Sequence, residues 1–209
     1  TRDLKTGDKI YLNETIISGV GSGTQILLLD QSTFTVGEDS AVVMDTFIYD
    51  PETNDGKIVA SVKQGSLKVI SGLISKKNPD SLTVEVPEGT LGSRGTEFQT
   101  IVSKGKTDTL LIGPGKNNTL GMRPGAVLIG NSLGSTLLDN PYSMASMTQG
   151  KAPGQAKKIT KNQLKKFNKK MKALRVAKLS PNETKAERKQ LRKNLKKELK
   201  ALGFEKEEI

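Results

Sequence analysis

The 209-residue chain has no histidine, no cysteine and no tryptophan, and aromatic residues make up only 4% of it. Without His or Cys it lacks the groups that titrate near neutrality, the thiol nucleophile and the soft metal ligands. It is therefore expected to be neither an enzyme nor a metalloprotein, and to need no cofactor. No disulfide can form, which leaves the redox compartment open. No apolar run approaches the roughly 20 residues of a membrane helix, and no basic-then-apolar leader is present within the chain. It begins at Thr1, which is expected either for an exported product whose signal peptide was removed or for a trimmed boundary.

Positive charge is scarce in the body and dense at the end. Residues 1–150 carry a net charge of −3 and residues 151–209 one of +14, which together give the +11 of the whole chain. A polyanion-binding function therefore belongs to the tail alone.

Within residues 1–140 the apolar residues alternate over short runs punctuated by Gly, Asn, Asp and Pro. Strands are predicted at 9–12, 14–17, 24–29, 32–36, 41–49, 57–71, 81–86, 97–102, 107–112, 126–129 and 136–138. This spacing predicts a mainly β fold, an antiparallel β-sandwich or β-roll. Asp50, Glu52 and Asn54 occupy the first three ligand positions of a calcium loop, but Asp55 stands where its glycine belongs and Ser61 where its bidentate glutamate belongs. A solvated hairpin turn is expected there. Gly105-Lys106-Thr107 ends like a phosphate loop, yet Thr100 replaces the first glycine, so this too is expected to be a turn. Asn-x-Thr triplets at Asn13, Asn117 and Asn182 are given no weight.

The most informative stretch is Val86 to Phe98, where Pro87, Gly89, Thr90, Gly92, Arg94, Gly95 and Thr96 interrupt two alternating flanks. It predicts strand, tight glycine turn, strand, with Pro87 closing the first strand. Arg94, between Gly92 and Gly95, is expected to lie against backbone carbonyls and satisfy the orphan groups of a sharp corner. Val-Pro-x-Gly-Thr-x-Gly-x-Arg-Gly-Thr-x-Phe resembles the central signature of the FecR-like domain. Gly7-Asp8, Glu14-Thr15, Gln25–Asp30, Met44–Pro51 and Val59–Gly72 agree with the rest of that family's pattern, over about residues 1–140. The resemblance implies an all-β module of the cell envelope, of which the namesake relays an iron-uptake signal to a sigma factor.

Residues 141–158, with Pro141, Gly150, Pro153 and Gly154, read as a linker. Thr160-Lys161-Asn162-Gln163 is a capping box flanked by Ile159 and Leu164, so a helix is predicted from about Lys161 to Leu179. Ser180-Pro181-Asn182-Glu183 restarts it, and Gly203 ends the second helix. The resulting domain plan is 1–140, 141–158 and a basic helical hairpin at 159–209. The stripes Leu164, Phe167, Met171, Leu174 and Leu191, Leu195, Leu199, Leu202 need an apolar partner, because two helices alone bury too little.

The primary expectation is a non-catalytic, periplasmic or extracellular scaffold that self-assembles, as an oligomer or filament, through β edges and these stripes. The alternatives are a FecR-type relay across the envelope, and a binder of nucleic acid or an anionic surface through the tail lysines.

Overall fold

A computed structural model describes residues 1–116 and 124–171. Leu174, Leu191, Leu195, Leu199, Leu202 and the second tail helix lie outside the described residues, as do Asn117 and Asn182.

Among the described residues, thirteen strands form one continuous antiparallel sheet with a single parallel pairing. They are β1 (Thr15–Ser18), β2 (Thr24–Leu27), β3 (Thr33–Val36), β4 (Ser40–Tyr49), β5 (Gly56–Ile70), β6 (Leu82–Val86), β7 (Gly89–Arg94), β8 (Glu97–Ser103), β9 (Lys106–Gly113), β10 (Ala126–Asn131), β11 (Gly134–Leu138), β12 (Ser143–Thr148) and β13 (Lys157–Lys158). A short helix α1 (Leu73–Lys77) follows β5, and α2 (Lys161–Lys170) follows β13.

The 15-residue β5 folds this sheet into two halves. Its first part, up to Gln64, pairs with β4, and β6 joins it through Ser61; from Gly65 onward it pairs with β8, and with β3 from Leu67. One half then runs β1-β4-β5-β6-β7-β10-β11, and the other β2-β3-β5-β8-β9-β12-β13. Alternation decides what each half buries: Val42, Ala60, Val84, Leu91 and Ile129 point inward from the first, and Phe34, Leu67, Val69, Phe98 and Leu111 from the second. All join one core.

The structure departs from the sequence reading at several elements. Lys9–Leu12 is not a strand, and Asn13 has a positive φ of 65°. The glycine-rich middle of the motif is not a turn but β7 itself, with turns on either side at Pro87-Glu88 and Gly95-Thr96. β5 and β6 are parallel, because α1 carries the chain across between them. Residues 143–148 are no linker but β12, paired with β9 and burying Met144, Ala145 and Met147. The helix begins at Lys161 as predicted but ends at Lys170, where the N–H of Met171 turns back to the carbonyls of Asn168 and Lys169.

α1 leaves no signal in the sequence, because its five residues carry no capping side chain of their own. Its anchor is Asp30, fully buried. The Asp30 carbonyl accepts from the Leu73 N–H at 2.7 Å, and its carboxylate accepts from the Ser32 hydroxyl at 2.7 Å and the Ser32 N–H at 3.0 Å. A residue that reads as a hairpin turn thus also fixes an element more than forty residues away.

Candidate functional site

Three surfaces carry the residues singled out by the sequence. The first is the β6–β7–β8 corner. Pro87, exposed, closes β6. Gly89 has φ +156°, and a Cβ on it would stand 2.2 Å from the Gly130 carbonyl oxygen of the neighbouring β10; Gly95 has φ +67°. Both positions need glycine.

The orphan backbone groups of this corner are satisfied by serines, not by Arg94. Ser71 Oγ donates to the Thr96 carbonyl at 2.8 Å, accepts from the Thr96 N–H at 3.2 Å, and accepts from the Ser93 hydroxyl at 2.7 Å. Ser75 Oγ donates to the Ser93 carbonyl at 2.9 Å and accepts from the Gly95 N–H at 3.0 Å. Thr96 donates its hydroxyl to the Pro114 carbonyl at 2.8 Å. Arg94 points outward and grips the Asp80 carboxylate in a fork, Nε to Oδ1 at 2.9 Å and Nη2 to Oδ2 at 3.0 Å, with both side chains more than 40% exposed. The alternating pattern places residue 94 on the outer face of β7, away from the serines.

Two unequal effects follow. Arg94→Ala should cost no more than about 1 kcal/mol, as exposed ion pairs do, whereas Ser71→Ala strands buried partners and should cost about 1–3 kcal/mol. Urea midpoints of the two variants decide the order; equal midpoints would overturn it.

Beside this corner lies an open groove of about 1000 Å³, between the Pro87-Glu88 turn and the Ser132-Leu133 turn. Glu85, Glu88, Thr90, Asn131, Leu133 and Ser135 are among its walls. Glu88 is only 8% exposed, and its carboxylate accepts from the Thr107 hydroxyl of β9. This polar tie joins the two halves of the sheet.

The second surface is the Asp50–Asp55 turn, whose two aspartate carboxylates are already engaged by the protein. Asp50 accepts from the Thr53 hydroxyl at 2.7 Å and the Glu52 N–H at 2.9 Å, which lower its pKa. Asp55 accepts from Lys77 Nζ at 2.8 Å and Asn78 Nδ2 at 2.7 Å, with the same consequence. Among the described residues no three His, Cys, Asp or Glu side chains are grouped to hold a metal ion.

The third surface is the outer face of β8, β9 and β12, and α2 covers it. The capping box forms as read: Gln163 N–H donates to Thr160 Oγ1 at 3.3 Å, and Thr160 N–H donates to Gln163 Oε1 at 3.0 Å. Phe167 is 1% exposed and packs with Ile101, Leu110 and Met144, with Ile159 and Leu164 at the margin. Met171 is buried as well. Leu164, Phe167 and Met171, expected to bind a neighbouring subunit, are thus occupied by their own chain. Two tail lysines are also engaged internally: Lys166 approaches Asp108 at 3.5 Å, and Lys170 approaches Glu38 at 3.7 Å and Asp39 at 3.8 Å.

Asp108 is the charged centre of this surface. Burial would raise its pKa, but the Ser146 hydroxyl at 2.6 Å, the Lys106 ammonium at 2.9 Å and Lys166 outweigh it, and the carboxyl titrates below its ordinary value. The unfolded chain therefore takes up this proton first as the solution is acidified. The stability from Asp108 is complete above the ordinary Asp range and is lost as pH falls through the lower folded value. Melting temperature should drop between about pH 5 and pH 3, and the drop should be smaller in Asp108→Asn. Parallel pH profiles for the two proteins would refute this.

Comparison with known proteins adds the following. The family model described as FecR protein matches residues 14–112, from the edge of β1 to near the end of β9. None of the curated proteins matches the chain significantly. Two crystal structures of a Parabacteroides distasonis ATCC 8503 protein, assigned as an anti-sigma factor, superpose with TM-scores of 0.52 and 0.51 at 11% identity. The matches cover 74% and 73% of this chain and 63% of the length of each of those. At that identity the likeness concerns the fold. Residues 14–112, with the serine-braced corner at their centre, are a domain of the FecR family.

Proposed function

We propose that this chain is the signal-receiving β module of a FecR-type regulator: a non-catalytic protein of the cell envelope, periplasmic, that acts by protein contact. The FecR-family match over residues 14–112 carries this reading. The fold-level likeness to an anti-sigma factor supports it, over a span that reaches beyond the family match. The internal bonding of the corner serines and of the acidic turn is in keeping with a binding module, since these polar groups are committed to holding the backbone.

Overproduced and exported in its source cell, the chain should compete with the resident regulator for its upstream partner and change transcription of a restricted gene set severalfold. An unchanged transcript profile would overturn the reading. The scaffold alternative keeps one observation in its favour, the uncharged edge of β2, on which no second strand lies among the described residues.

A further inference from the structure

Edge strands are normally protected against pairing with other chains by lysine, proline, bulges or a covering element. β2 has none of the first three. Among the described residues it pairs only with β3, in the register Thr24↔Val36 to Leu27↔Thr33. The segment Thr24-Gln25-Ile26-Leu27-Leu28-Leu29 holds no charged residue. Its Leu27 is 74% exposed and Leu29 is 81% exposed.

Hydrogen-bond parity shows which backbone groups are available. Leu28 donates its N–H to the Ser32 carbonyl at 2.9 Å, so residues 24, 26 and 28 face β3. The N–H and C=O of Gln25 and Leu27 therefore point to the open side, where no strand lies among the described residues.

We propose that this edge pairs with the same edge of a second copy, antiparallel about a two-fold axis at Ile26. In that register Gln25 of each copy faces Leu27 of the other, and both are residues whose backbone groups point outward. Four main-chain hydrogen bonds close, and the half-sheet continues across the dimer. Leu29 falls opposite Gly23 of the other copy, which has no side chain to obstruct it. A shift by one residue would bring inward-facing and outward-facing backbone groups together, so the parity excludes it.

The other edges suit self-pairing less. β13 is Lys157-Lys158 and would oppose its own charge. β11 begins at a glycine with φ +157° and is followed directly by Asp139. β1 follows Glu14, whose carboxylate binds Arg2 and the Tyr11 N–H. The inference does not depend on the regulatory reading.

The absence of cysteine makes a direct test possible. The full chain is prepared as Gln25→Cys and, separately, as Leu27→Cys. Mixed and oxidised, the two should give a disulfide-linked pair much faster than either alone, since only the mixture sets 25 opposite 27. Light scattering should give twice the 22.5 kDa chain mass for the unmodified protein, and a single-chain mass for Leu27→Lys. Leu133→Lys, on the exposed β10–β11 turn, should remain paired. The proposal is overturned by a single-chain mass up to the solubility limit, by a dimer that Leu27→Lys leaves intact, or by cross-linking no faster in the mixture than in the separate variants.

Discussion

Gly65→Ala is expected to lower the stability of the β body by about 2–5 kcal/mol, near the upper end of what one substitution does. Gly65 has φ +86°, which side chains other than glycine adopt at a cost of about 1–3 kcal/mol. An added Cβ would also stand 2.2 Å from Ser40 Oγ, 2.4 Å from Ser40 Cα and 2.5 Å from the Asp39 carbonyl oxygen. Two of these are backbone atoms, and Ser40 cannot withdraw. Its hydroxyl accepts from the Ser66 N–H at 2.8 Å and donates to the Glu38 carbonyl at 3.0 Å, while its own N–H donates to Ser18 Oγ at 3.1 Å. Such overlap adds about 1–3 kcal/mol.

This is also where β5 passes from one half of the sheet to the other, so the loss should be global and cooperative. Urea unfolding measures it. Gly19→Ala, where an added Cβ meets nothing within 4 Å, is the control and should be neutral or mildly stabilising. Equal midpoints for the two variants would show that β5 crosses between the halves without needing its glycine.

The sequence reveals some of this arrangement and hides the rest for reasons that differ by residue. The Thr160–Gln163 capping box is legible because both of its bonds close within four residues. Strands such as β6 are legible because Leu82, Val84 and Val86 face a core while Thr83 and Glu85 do not. Gly65 is hidden inside what reads as one long strand, since apolar residues alternate on both sides of it; the trace of the crossing is a change of phase, the inward set passing from Ile58, Ala60 and Val62 to Leu67 and Val69 as the partner strand changes.

The corner serines are hidden for another reason. Ser71, Ser75 and Ser93 are small polar residues whose partners are set by the fold, and nothing local separates them from solvent-facing serines. Arg94 is the visible candidate because its charge stands between two glycines, yet strand parity turns it outward to Asp80. β12 reads as linker because Pro141 and Gly150 bracket it, and its six residues are too few to outweigh those breakers. Pairing with β9 supplies what the local sequence lacks.

Phe167→Ala should release α2 while leaving the strands folded. The ring is buried against Ile101, Leu110 and Met144, and truncating such a phenylalanine costs about 3–5 kcal/mol where the whole loss is felt. A ten-residue helix has little stability of its own in water, so the helix and its docking are expected to fail together. The loss is then limited to the free energy of opening α2, and the rest of the body need not unfold with it. Hydrogen exchange separates the two outcomes. Amides of 164–170 should lose their protection in Phe167→Ala, whereas those of β5 and β8 should keep theirs.

Gln99 should report the same event from the other side. Its Nε2 donates to the Phe167 carbonyl at 2.9 Å while 3% exposed, and it would gain solvent on release. Lys166→Ala removes only an ion pair whose lysine is 55% exposed, so it should act weakly and in a salt-dependent way. The opposite ranking, with Lys166→Ala freeing the helix and Phe167→Ala leaving its amides protected, would mean that charge and not the buried ring holds α2 on the sheet.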